Sequence, residues 1–80
     1  MEEYMKTSGY LKTVIINFLM TAREIQIIKL VATGKTNTSI AQELNLSKHT
    51  VITHRKNINK KLNASNPVIM LEMARQQQII

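Results

Sequence analysis

Apolar positions in this 80-residue chain recur at helical intervals, and short polar stretches rich in cap residues separate the runs. From Tyr10 onward, Leu11, Val14, Ile15 and Phe18 follow an i, i+3, i+4, i+7 pattern. The β-branched run Thr13-Val14-Ile15-Ile16 works against a helix there. Residues 1–18 are therefore read as a polar tail and a candidate extra helix. Thr21 with Glu24 three residues later has the spacing of a capping box, in which each side chain bonds an orphan amide of the first turn. Ile25, Ile28, Val31 and Ala32 are predicted to line the inner face of this first helix, and Gly34 to close it in a left-handed turn. Thr36 can cap a short second helix with Ile40, Ala41 and Leu44 inward. Asn45, a residue that tolerates left-handed backbone, follows it. Ser47 caps a third helix, and Asn63 to Pro67 connects it to a fourth, capped by Asn66 and opened by Pro67. Val68, Leu71 and Ala74 are expected to face inward from that last helix, whose end frays at Gln76 to Gln78.

These elements predict an all-α fold, a compact helical bundle of four helices over residues 19–76. The short pair at about 37–44 and 48–62, joined by a tight turn near Asn45 and Leu46, has the layout of a helix-turn-helix. In that motif the first member braces and the second is the one suited to the major groove. The third helix has two unlike faces. At 100° per residue, Val51, Ile58 and Leu62 fall within about 40° of one another. His49, Thr53, Lys56 and Lys60 gather on the opposite side, and no acidic residue occurs between Glu43 and Glu72. An aliphatic stripe backed by a cationic, hydrogen-bonding ridge fits the groove of a polyanion.

Composition narrows the function further. Eleven Lys and Arg against five acidic residues give a formal charge of +6. Lys48, Arg55, Lys56, Lys60 and Lys61 all lie in the third helix, and such clustering points to phosphate. Without cysteine, disulfides and thiolate metal sites are excluded. His49 and His54 are five apart, about 140° around a helix, so they cannot share a metal as an i, i+4 pair would. Gly34-Lys35-Thr36 imitates the end of a phosphate-binding loop, but that loop needs a further glycine where Lys29 stands. Neither a nucleophile triad nor paired carboxylates assemble. No enzyme activity, cofactor, metal or small-molecule ligand is expected. The apolar run from Val14 to Met20 is too short to cross a bilayer, and Glu2 and Glu3 do not suit a secretion signal. The default location is the cytoplasm, where the Asn37-Thr38-Ser39 and Asn63-Ala64-Ser65 glycosylation patterns are chance matches.

Several spaced residues match a known family. Leu19-x-Thr21-x-Arg23-Glu24-Ile25, Gly34-x-x-Asn37, Ile40-Ala41-x-x-Leu44, Ser47-x-x-Thr50-Val51, His54-Arg55-x-Asn57-Ile58 and Lys61-Leu62 resemble the LuxR/GerE-type DNA-binding domain of bacterial transcription regulators, over roughly residues 19 to 74. The resemblance implies that residues 48–62 are the recognition helix. It places base-facing positions at Ile52, Thr53 and Lys56, and backbone contacts near Thr50 and at the helix ends. Position 52 is usually basic or polar in such domains, whereas Ile52 cannot donate a hydrogen bond but could pack on a thymine methyl. Pro67, Ile69 and Met70 also depart from the family, so its dimer contacts on the fourth helix are not carried over. Family members usually carry a sensing or phosphoacceptor domain upstream, and eighteen residues are too few to hold one.

The expected function is thus sequence-specific binding of double-stranded DNA by a bacterial regulator or its output domain. Thr53 and Lys56 are the expected base readers, flanked by His49 and Lys60, with Asn57 oblique to them. Lys48 and Lys61 are placed for phosphates, as are Ser47 and Thr50 at one helix start and Thr36 at another. Arg55 is expected to reach an internal acid, Glu24 or Glu43, and His54 to be packed and hydrogen-bonded. With so few base readers, a homodimer spanning two half-sites is expected. Tyr10, Leu11, Val14, Ile15 and Phe18, helped by Ile69, Met73, Ile79 and Ile80, could supply its interface. The rival reading is an adaptor that binds RNA polymerase or another regulator through its apolar N- and C-terminal helices. A membrane-surface role fits worse, because the core needs the one aliphatic stripe.

Overall fold

The computed structural model describes residues 18–80; the expected extra N-terminal helix and the apolar positions from Tyr10 to Ile15 lie outside them. Four helices follow in order: α1 Ala22–Ala32, α2 Asn37–Leu44, α3 Lys48–Leu62 and α4 Pro67–Gln76. Each starts on a side-chain cap. Thr21 accepts from the Glu24 amide and Glu24 accepts in return from the Thr21 amide, a closed capping box. Thr36, Ser47 and Asn66 accept from the amides of Ser39, Thr50 and Ile69.

The helix ends are equally local. Gly34 at φ 85°, Asn45 at 55°, Asn63 at 53° and Gln78 at 59° turn the chain left-handed. After each, the next amide reaches back five residues: Lys35 to the Leu30 carbonyl, Leu46 to Ala41, Ala64 to Asn59 and Ile79 to Ala74. The fourth of these turns corrects the expected fraying at Gln76 to Gln78. The chain closes α4 there and returns Ile79 to the core.

α3 crosses the middle of the bundle, packed against α1, α2 and α4. Val51, Ile58 and Leu62 are almost wholly buried among Ile27, Ile28, Val31, Ile40, Ala41, Met70 and Ala74. Burying such side chains gives each about 1.5–3 kcal/mol. Two inward faces differ from expectation. Ile27 is buried and Ala32 exposed, because Leu30 and Ile25 cover the flanks of α1 while Ile27, Ile28 and Val31 share its centre. On α4, Met70 takes the central position and Val68, 74% exposed, points away from the core. Met70 and Ala74, four apart, share the face that meets α1 and α3, and Val68, two residues before Met70, falls about 200° around the helix from it. Met73 and Ile79, expected at an outer surface, pack against the core.

Candidate nucleic-acid interface

Two interhelical ties set the attitude of α3. The first is at its C-terminal end. Lys61 Nζ donates to Glu24 Oε1 at 2.7 Å and to the Leu19 carbonyl at 2.8 Å. The same Glu24 oxygen accepts from the Thr21 amide at 2.8 Å, so one buried carboxylate serves the cap of α1 and anchors α3. Burial pulls the Glu24 carboxyl upward, but the Lys61 hydrogen bond and charge, with the Thr21 amide and hydroxyl, outweigh it and hold the group below its ordinary 4.5. A carboxyl held low in the folded state contributes stability above its unfolded value, and that contribution is lost as pH falls through the folded value. Melting temperature should therefore drop on acidification below about 4.5, and Glu24→Gln should flatten that part of the profile. Parallel acid profiles for the two proteins would remove Glu24 as the cause.

The second tie lies nearer the middle of α3. Arg55 Nη1 donates to Asn37 Oδ1 at 2.6 Å, joining α3 to the first turn of α2. Burial lowers the Arg55 pKa, and a guanidinium still carries its charge at neutral pH. The expected partner, Glu24 or Glu43, is wrong: Lys61 already holds Glu24, and Glu43 pairs with Lys35 at 3.3 Å. Lys61 is likewise corrected, since its ammonium is engaged inside the bundle rather than held out for a phosphate. His54 is half-buried, but the side-chain hydrogen bonds among the described residues do not include its imidazole.

What remains outward is a continuous cationic face. Lys48, His49, Thr53, Lys56, Asn57 and Lys60 are all exposed along α3, and Ile52 and Thr50 are half-buried at its flanks. Thr53 donates its hydroxyl proton to the His49 carbonyl at 3.1 Å. It therefore offers outward an acceptor lone pair and a methyl group. At the start of α3, the Ser47 and Thr50 hydroxyls lie 2.8 Å apart. With one hydroxyl donating to the other, one proton stays available beside the helix N-terminus, where partial positive charge favours an anion. Thr36, at the start of α2, is exposed too. Glu24 is buried, so no carboxylate of α1 is turned onto this face, and Glu43 is neutralised by Lys35.

Asn37 as the partner of Arg55, and Glu24 as the partner of Lys61, are the functional-site residues that periodicity missed. Each is polar, off the aliphatic stripes and remote in sequence from its partner, so no local pattern joins them. All four stand in the spaced motif of the sequence, which is the one signal that singled them out.

Comparison with known proteins agrees with this geometry. Residues 19–74 match the model of the GerE family, "Bacterial regulatory proteins, luxR family". The uncharacterized response regulatory protein YgeK of Escherichia coli is 47% identical over 69% of this chain and 37% of its own length. A putative transcriptional regulator of Pseudomonas aeruginosa is 38% identical over 76% of the chain and 30% of its own. The crystal structure of the response regulator ChrA, from a heme-sensing two-component system, superposes with a TM-score of 0.73 at 38% identity, covering 75% of this chain and 30% of that one. The chain thus spans well under half the length of each of these relatives.

Proposed function

The chain belongs to the luxR family of bacterial regulatory proteins, and on that premise we propose that it reads duplex DNA with α3 lying in the major groove. The family is one of DNA-binding transcription regulators, and among the described residues no helix is long and apolar enough to cross a membrane. The observation that carries the groove assignment is the division of α3. Val51, Ile58 and Leu62 are shut in the core while Thr53, Lys56 and Lys60 face water, with no acidic side chain of α3 between them. In this reading Thr53, Lys56 and His49 meet base edges. Lys48, Lys60, Asn57 and the hydroxyls of Thr36, Ser47 and Thr50 hold phosphates and fix the register. Residues 19–76 form the DNA-binding unit, acting in the cytoplasm as a regulator or its output domain, without catalysis.

A homodimer on two half-sites about one helical turn apart supplies the discrimination one protomer lacks. Val68, exposed on α4, is an aliphatic group free to join such an interface.

The test is a mobility-shift titration against genomic fragments at several salt concentrations. Lys48 and Lys60 each neutralise one phosphate, so log K should fall by about 1.8 per log unit of salt for one protomer and about 3.6 for two. A salt-independent affinity would overturn the groove assignment. A salt-insensitive protein complex, with RNA polymerase as the first candidate, would put the adaptor reading in its place.

A further inference from the structure

Ile52 is the one aliphatic side chain beside the outward ridge of α3 that the bundle does not use. It is half-buried, yet the apolar residues packed against the core, among those described, do not include it. Its helical neighbours at i+4 and i−3 are Lys56 and His49, both exposed. Whatever position α3 takes against a duplex through Lys56, Ile52 goes with it and loses its water. The major groove offers one apolar group to receive it, the C5-methyl of a pyrimidine, which among the ordinary bases only thymine carries. Opposite guanine, the same side chain would leave O6 and N7 dry and unpaired, which is unfavourable. The α3 arginine that could have served guanine is turned inward: Arg55 is held by Asn37 at 2.6 Å.

Resting on the groove reading above, we propose that Ile52 is a specificity-determining residue that recognises the C5-methyl group of one thymine in each half-site. It selects thymine by apolar contact and rejects guanine by leaving its acceptors without a donor.

The experiment starts from duplexes selected out of a random pool by the 80-residue chain. Each thymine of the selected site is then replaced singly by deoxyuridine, which removes only the methyl group. At one position per half-site the affinity should fall about three- to fivefold, the value of one buried methyl. Cytosine placed at that position should bind more weakly than 5-methylcytosine by a similar factor. Ile52→Ala, with folding checked by its melting curve, should bind the thymine and deoxyuridine duplexes equally. The proposal is overturned if no thymine shows a methyl dependence, or if Ile52→Ala keeps the full dependence and the methyl is read by another group. Failure to bind any duplex overturns the groove reading itself and this inference with it.

Discussion

Lys56→Glu abolishes duplex binding, with affinity down by at least about a hundredfold near 0.1 M salt, and leaves the fold as stable as before. Two effects add. A good base contact is worth about 1–3 kcal/mol, and the new carboxylate faces a polyanion where an ammonium stood. Stability should hold, because Lys56 is exposed and the hydrogen bonds and ion pairs among the described residues do not involve it. The new glutamate would also sit four residues before Lys60, a favourable helical pair of about 0.3–0.5 kcal/mol. Mobility shift, circular dichroism and a melting curve on the same sample decide the matter. Wild-type affinity in the variant would remove Lys56 from the interface. A collapsed melting curve would instead assign it to the core.

Glu24→Ala acts in the opposite way, striking stability before recognition. The substitution frees the Thr21 amide and strips Lys61 of its carboxylate, so the start of α1 and the end of α3 lose their common anchor. Breaking a fully buried pair costs about 3–5 kcal/mol. Lys61 is partly open to water and can swing outward, which brings the expected loss to about 2–3 kcal/mol. For a domain of this size that lowers the melting temperature by on the order of 10–20 °C. Glu24→Gln, which keeps an acceptor for the Thr21 amide, should lose less. A fall of under about 3 °C for the alanine variant would show that the tie contributes little.

The helix boundaries were legible in the sequence because their causes are local. Thr21 with Glu24, Thr36, Ser47 and Asn66 with Pro67 each announce a helix start within four residues of chain, and Gly34 and Asn45 announce ends. The inward stripe of α3 was equally plain, since Val51, Ile58 and Leu62 share one face and Ile52 is the one other aliphatic residue of the helix. Flanks were harder. In α1, Ile25, Ile27 and Ile28 are all aliphatic, and only packing against α4 and α3 decides which two are central. In α4, Val68 and Met70 are both apolar, and periodicity alone left the choice of face to the tertiary fit. At the interface, exposure of the ridge followed from the stripe, but the fate of individual cations did not. Lys61 and Arg55 share a helix with Lys56 and Lys60, and they are drawn inward by partners 37 and 18 residues away. Charge counting cannot see such partners.

The four left-handed turns that close the helices have a kinetic consequence. Each bond that stops a helix spans only five residues, so helix lengths are set by local sequence and not by distant contacts. The remaining search is to dock short, pre-measured rods through brief connections, the situation in which small helical domains assemble in microseconds to milliseconds. A β-branched residue in place of Asn45 or Asn63 would blur that measurement, letting α2 or α3 overrun its end and delaying assembly more than its cost to the finished bundle would suggest.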